Sequence, residues 1–251
     1  MSESFSKVYA DRERADAYAQ LEFPGTYFLA FRDLPALIRK HVSGWIALDF
    51  GCGTGRSTRF LRDLGFDVLG VDIAAEMLER ARRQDPAGRY KLVDEGDLGR
   101  LPMRSFDLIL AAFTFDNIPT LERKRDLLTA LSRLLSPTGR FVNLVSDPAI
   151  YVHEWASFST RDFPANRLAK SGDRVRIVML DVPDKRPVED VVCSDTDYRR
   201  MYARAALVVH EMHRPLGRSD EGVAWVWETT VAPWSIYVLG SSAPPLGSEA
   251  V

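Results

Sequence analysis

The sequence is poor in cysteine, in net charge and in long apolar runs, and each shortage removes a class of protein. Only Cys52 and Cys193 are present among 251 residues, with no Cys-x-x-Cys pair; a structural zinc site and a disulfide-stapled secreted fold are both excluded, and no metal is expected. Basic and acidic side chains number 33 and 35, a formal charge of −2, which leaves no field to attract nucleic acid or an anionic membrane surface. No apolar run approaches the ~20 residues that span a bilayer. Met1-Ser2-Glu3-Ser4-Phe5-Ser6-Lys7 lacks the apolar core of a signal peptide, so a cytoplasmic protein is expected. No period of ~20–50 residues recurs, which excludes a solenoid. What is there is ordinary for a globular chain, 46% apolar and 27% charged residues, enough to bury roughly 70–75% of the unfolded surface around one main core.

Short β-rich runs alternate with amphipathic stretches from residue 45 to 146, the pattern of a parallel sheet covered by helices on both faces. Strands are predicted at 45–50, 67–71, 90–93, 106–113 and 139–145, each short and largely apolar, as strands buried on both sides are. Helices are predicted at 57–64, 74–84 and 121–135. In the last, Leu127, Leu128, Leu131, Leu134 and Leu135 recur at helical steps and Ser136-Pro137-Thr138-Gly139 reads as the stop. Residues 174–181 and 188–193 flank Pro183-Asp184-Lys185-Arg186-Pro187 and read as an exposed antiparallel hairpin. A helix at 195–206 and strands at 207–212 and 232–240 complete the set. The expected layout is a helical N-terminal cap over the active site (1–40), a main domain (41–240) with an inserted hairpin near 174–193, and a frayed tail (241–251).

The most informative segment is Ala47-Leu48-Asp49-Phe50-Gly51-Cys52-Gly53-Thr54-Gly55-Arg56-Ser57. Three glycines at alternate positions between a strand and a helix permit a tight turn and bring bare backbone against a ligand. A dinucleotide fingerprint would want glycine where Arg56 stands, and Asp49 before the loop would repel a phosphate and attract a cation. Asp72 closes the next strand 21 residues after Gly51, the spacing at which an acid in this architecture holds ribose hydroxyls. An adenosine carrying a cationic amino-acid part suits both acids, and S-adenosyl-L-methionine is such a molecule.

Over residues 45–146 the chain resembles the class I S-adenosylmethionine-dependent methyltransferases. The first motif stands as Leu48-Asp49-Phe50-Gly51-Cys52-Gly53-Thr54-Gly55 and the second as Gly70-Val71-Asp72-Ile73-Ala74-Ala75-Glu76-Met77-Leu78, followed by Asp94-Glu95-Gly96-Asp97-Leu98. The resemblance implies that Gly51, Gly53 and Gly55 line the methionine part beside Asp49, that Asp72 holds the ribose, and that Ile73 and Met77 pack on the adenine. It also implies that Asp97 and the Leu98 amide meet the adenine edge, and that Ala112 and Phe113 approach the methyl. Where the family often has serine two residues after the ribose acid, this chain has Ala74. The implied fold is Rossmann-like α/β, a seven-stranded, mostly parallel sheet in the order 3-2-1-4-5-7-6 with an antiparallel last strand. A bland reading stands beside some of these residues: Asp97 also suits a turn before Gly99, and Met77 also suits a core.

Ligands of open α/β sheets lie over the carboxyl ends of the strands, where the loops after strands four and five meet the aromatic flanks. Tyr9, Tyr18, Tyr27, Phe113, Tyr151, Trp155 and Trp227 are candidates for an aromatic box around a flat small molecule, or equally for core. Methyl transfer from a sulfonium needs mainly alignment in a dry pocket, helped by a base when the acceptor carries a proton. Asp116 and His153 are candidate bases, His210 a further one, and Asn117 a candidate for orienting the acceptor. The stretches 23–35 and 232–237 are similar to toxoflavin-type N-methyltransferases, which implies a heteroaromatic small-molecule acceptor methylated on a ring nitrogen. Oxygen is the alternative acceptor atom, and a cofactor-binding protein without transfer or an NAD-linked oxidoreductase are the rival classes.

Overall fold

The computed structural model describes residues 23–94 and 97–242. Tyr9, Tyr18, most of the expected cap and the expected tail beyond Ser242 lie outside the described residues. Two short helices, α1 (Gly25–Arg32) and α2 (Leu34–His41), precede an alternating run. It comprises β1 (Ile46–Phe50), α3 (Arg56–Asp63), β2 (Asp67–Asp72), α4 (Ala75–Gln84), β3 (Arg89–Leu92), β4 (Phe106–Ala112), α5 (Leu121–Ser132) and β5 (Leu135–Ser146). Then follow β6 (Phe158–Ser159), β7 (Arg174–Met179), β8 (Val188–Val191), α6 (Asp195–Arg204), β9 (Leu207–His213) and β10 (Trp234–Ser241).

The main sheet runs β3-β2-β1-β4-β5-β10-β9. Counting only its own strands this is 3-2-1-4-5-7-6, with β10 antiparallel to both neighbours and the pairs among β1 to β5 parallel. The expected fold class is therefore the observed one. Both faces are covered, and consecutive residues feed different cores: Ala47, Leu108 and Leu110 pack with α1 and α2, whereas Leu48, Ile109 and Ala111 pack with Leu128, Leu131 and Tyr202. That explains why these strands read as continuous apolar runs. The strand order reverses between β1 and β4, which opens a crevice at their carboxyl ends.

Two expectations need correcting. The helix predicted over 121–135 ends at Ser132, and Leu135 already pairs with Phe106 in β5. The Ser-Pro-Thr-Gly stretch is a bulged strand start, its register shifting between Phe106 and Leu108, where a proline is tolerated. The hairpin expected to be exposed is not: β7 and β8 join β6 in a second, three-stranded sheet. Val175, Ile177, Met179 and Val188 are buried in the same core cluster as Tyr27, Phe113 and Trp234.

Candidate cofactor and acceptor site

The loop after β1 is built by left-handed backbone. Gly51, Gly53 and Gly55 have φ of 71°, 54° and 82°, values that L side chains adopt only under strain. Space is equally restrictive, since a Cβ on Gly51 would lie 2.3 Å from Thr114 Cγ2 and one on Gly55 2.4 Å from the Tyr90 hydroxyl. The Gly51 and Cys52 amides donate to Val71 O at 2.8 and 3.0 Å, which ties the turn to the end of β2.

Asp49, at the end of β1, is fully buried. Its Oδ2 accepts from Ser57 Oγ at 2.7 Å and Thr58 Oγ1 at 2.6 Å, both on the first turn of α3. Its Oδ1 is buried with no hydrogen-bond partner among the described residues. Burial pushes the carboxyl up to about 6 against the two hydroxyls, with Asp72 raising it further and Arg56 opposing. A buried carboxylate oxygen with a vacant acceptor position is costly unless a donor or cation meets it. Asp72, half-buried at the end of β2, accepts from the Gly53 amide and the Ala74 amide, each at 2.8 Å. Burial raises its pKa against those two donors.

Met77 is buried with its Cε 3.3 Å from where a Gly53 Cβ would lie, Ile73, next to Asp72 in the chain, is half-buried, and Leu98 is buried in the core cluster that includes Val71. Asp97 is exposed and accepts from the Gly99 amide at 3.0 Å, so its carboxylate also makes the turn that the bland reading anticipated. Arg56, at the start of α3, sits among the rings of Phe23, Tyr27 and Phe31, 5.1 to 5.4 Å from their centroids, a cation–π arrangement that fixes α1 against the loop.

Ala112 ends β4, and Phe113 follows with φ of 63°, a strained conformation for an aromatic residue. It turns the chain into a 3-10 turn, Thr114–Asn117. Thr114 Oγ1 donates to Phe50 O at 2.9 Å, while Phe113 is a wall of the neighbouring cavity. The loop after β4 thus touches the glycine turn with one residue and the cavity with the preceding one.

The space between that cavity's walls, counting the open solvent at its mouth, is about 450 Å³. Its walls are Tyr27 from α1, Phe113 and Asn117 from the β4 loop, Ile150 and Tyr151 after β5, Phe158 of β6, Ile177 and Met179 of β7, Val188 of β8 and Trp234 of β10. Three more polar residues complete it: Asp116, Ser146 and Asp190. Asp116 is buried and accepts from the Ser146 amide and, at 2.8 Å, from its hydroxyl. Burial and the neighbouring Asp190 push it up to about 7, against Lys124 and Ser146. Asp190 accepts from the Tyr151 hydroxyl at 3.1 Å, and burial pushes it up to about 6. Lys124 is completely buried on α5 and donates to the carbonyls of Phe115 and Val191.

Of the residues singled out from sequence, Tyr27, Phe113, Asp116, Asn117 and Tyr151 meet at this cavity. Trp155 is buried with Nε1 bonded to Ile150 O, outside the lining. His153 packs against Trp227, ring centroids 4.8 Å apart, with Trp227 largely exposed; neither reaches the cavity. His210 lies on β9 near His41. Among the described residues no group of three or more His, Cys, Asp or Glu is placed to hold a metal ion, and no helix is long and apolar enough to cross a membrane. Sequence reasoning missed Asp190 and Lys124. Their signal was position: Asp190 shares the inward face of β8 with Val188, and Lys124 lies on the buried stripe with Leu128 and Leu131.

Residues 48–143 match the family model described as a methyltransferase domain. The chain is 36% identical over 104 residues to a malonyl-[acyl-carrier protein] O-methyltransferase of Enterobacter lignolyticus, covering 40% of this chain and 39% of that one. It is equally 36% identical over 104 residues to a demethylmenaquinone methyltransferase of Tropheryma whipplei, covering 40% and 41%. The matches thus span about two fifths of those relatives' own length. Among solved structures, the CcbJ methyltransferase of Streptomyces caelestis superposes with a TM-score of 0.62 at 19% identity, covering 88% of this chain and all of that one. An S-adenosylmethionine-dependent methyltransferase of Clostridium acetobutylicum gives 0.60 at 15% identity, covering 95% and 98%. Residues 48–143 are thus similar to a methyltransferase domain, and the chain has the Rossmann-like fold of these solved structures.

Proposed function

We propose that the protein transfers a methyl group from S-adenosyl-L-methionine to a small heteroaromatic metabolite, on a ring nitrogen, as a cytoplasmic enzyme of toxoflavin-type natural-product biosynthesis. The observation that carries this reading is the shared wall: Phe113 and Thr114 separate a glycine turn, with an unpartnered buried carboxylate oxygen beside it, from a cavity lined by aromatic rings. The residues present fit the cofactor. Asp49 offers the vacant acceptor, the turn through Gly51, Gly53 and Gly55 offers bare backbone, Asp72 would face a ribose, and Ile73, Met77 and Leu98 would offer an apolar bed for adenine. The cofactor supplies an activated methyl on a sulfonium; the protein's own work is to hold an acceptor and exclude water.

Tyr27, Phe113, Tyr151, Phe158 and Trp234 provide the faces on which a flat ring stacks. Asn117, whose Nδ2 donates to Phe113 O at 3.3 Å, stands where it can orient the acceptor, and α1, which lends Tyr27 to the wall, serves as a cap over the cavity. The family match ends at residue 143, before Ser146, Tyr151, β6 to β8 and Trp234. The acceptors in the relatives' names are accordingly not carried over to this chain.

Isothermal calorimetry with S-adenosylmethionine, followed by detection of S-adenosylhomocysteine across a panel of aromatic N–H heterocycles, tests the reading. Binding with turnover is expected. Binding without turnover on a broad panel would favour a cofactor-dependent protein that does not transfer, and preference for NAD would end the reading.

A further inference from the structure

The cavity floor carries more chemistry than ring stacking requires. Two carboxyls from separate elements, Asp116 after β4 and Asp190 on β8, line the same cavity. Behind them stands Lys124, fully buried, with its ammonium held by two carbonyls. Three ionisable groups in one buried patch cannot all be charged cheaply. Two anions and one cation leave a net charge of −1, and one captured proton neutralises the patch. Other facing groups do not supply that balance. The Tyr151 hydroxyl donates to Asp190, Tyr198 and Cys193 are held neutral by burial, and Glu189 lies beside Asp190 on the same strand.

We propose that Asp116 and Asp190, backed by Lys124, form a proton-accepting carboxyl pair that selects acceptors bearing a neutral N–H or O–H on an aromatic ring and excludes aromatic carboxylates. This rests on the methyltransferase reading above and deepens it. Methylating X–H exchanges the X–H bond for X–C, turns a sulfonium into a neutral thioether and leaves one proton over. The pair, at net charge −1 with Lys124, takes that proton and becomes neutral. A carboxylate acceptor has no proton to give and would bring a further negative charge beside two buried acids, which the single lysine does not compensate. Asp116, bonded by Ser146 and nearer the Phe113 wall in sequence, is the direct proton acceptor. Asp190 is a positioning residue that keeps Asp116 poised through like-charge repulsion.

The first test needs no turnover. In protein labelled with ¹³C at the aspartate carboxyls, Asp116 and Asp190 should titrate as an interacting pair near neutrality, in two steps. D190N should leave a single step for Asp116 at lower pH, and K124M, if folded, should move it to higher pH. The second test compares wild type and variants on benzimidazole, indole and 8-hydroxyquinoline against benzoate and indole-3-carboxylate. D116N should lower kcat about 100-fold with cofactor affinity unchanged. D190N should shift the acid limb of the pH–rate profile downward. Benzoate or indole-3-carboxylate methylated as fast as the N–H and O–H probes, or D190N profiles superimposable on wild type, overturn the proposal. Failure of the wild type to bind S-adenosylmethionine overturns the functional reading instead, and the carboxyl titration still decides the pair.

Discussion

The two halves of the crevice are made in opposite ways. On the cofactor side the parts are local: a turn of five residues, two acids at the ends of adjacent parallel strands, and backbone amides held by Asp72 and the Val71 carbonyl. On the acceptor side the parts come from α1, the β4 and β5 loops, the second sheet and β10. Its acids are kept in place by Ser146 and Tyr151, residues 30 and 39 positions away from Asp116 and Asp190, and are balanced by the charge of Lys124. A site built from contiguous backbone survives changes elsewhere in the chain. A site assembled from five segments is free to vary with its acceptor, and depends on buried charge balance to stay closed.

The sharpest way to break the comparison is to unbalance that charge. Lys124→Met keeps volume and leaves Asp116 and Asp190 buried without a cation, so stability should fall by about 3–5 kcal/mol, a large share of the ~5–15 kcal/mol typical of a domain. The pH dependence follows from the direction of the shifts. Both carboxyls are raised in the folded state, to about 7 and about 6, so the folded protein binds protons more tightly than the unfolded chain. Their cost is therefore relieved as pH falls from above 7 toward the ordinary carboxyl range. Urea unfolding should show a much smaller deficit for K124M at pH 5.5 than at pH 8. An equal deficit at both would mean that lost packing, not charge, is responsible.

On the local side, Asp72→Ala removes two backbone hydrogen bonds together with the acid proposed to face the ribose. Cofactor affinity should fall roughly 100-fold, about 2.7 kcal/mol, measured by calorimetry, whereas Asp116→Ala should change it less than about threefold. Equal losses would mean that the two halves are not separable. Gly51→Ala should follow at about 2 kcal/mol of stability, because positive φ and the Thr114 side chain at 2.3 Å act together. Gly65→Ala, at φ of 94° with nothing within 4 Å of the added Cβ, isolates the backbone strain alone and should cost about half as much.

The same division governs what could be read from sequence. The alternation of strands and helices, the glycine turn, Asp49 and Asp72 were legible because each is a short-range pattern with one physical cause. The hairpin was misjudged because its Pro-Asp-Lys-Arg-Pro tip is polar and says nothing about its strands, whose Val175, Ile177 and Val188 face a shared core. Helix α5 was run on too far because Leu134 and Leu135 continue the leucine spacing, although Leu135 belongs to the sheet. His153 looked like a base by residue type alone, and only tertiary structure shows it against Trp227. Asp190 and Lys124 stood in plain view as charges at inward positions, but a single charge in an apolar pattern acquires meaning only when its partner from another element is known.

A modest effect probes how the remote side is fastened. Glu228 is fully buried. One carboxylate oxygen accepts from Thr26 Oγ1 at 2.6 Å and the Ala156 amide at 2.7 Å, the other from the Val226 amide at 2.8 Å. It therefore clamps α1 to the segment before β6 and to the loop before β10. Trp234 Nε1 donates to Thr26 O at 2.8 Å, and Trp234 and Tyr27 are both cavity walls. Glu228→Gln preserves shape but aims an NH2 group at a donor, so it should cost about 1–2 kcal/mol. Because the clamp joins α1 to segments that flank the acceptor cavity, KM for the acceptor should rise while the dissociation constant for S-adenosylmethionine stays within about twofold. A loss confined to cofactor affinity would show that α1 serves the glycine loop, through Arg56 and its aromatic rings, rather than the cavity.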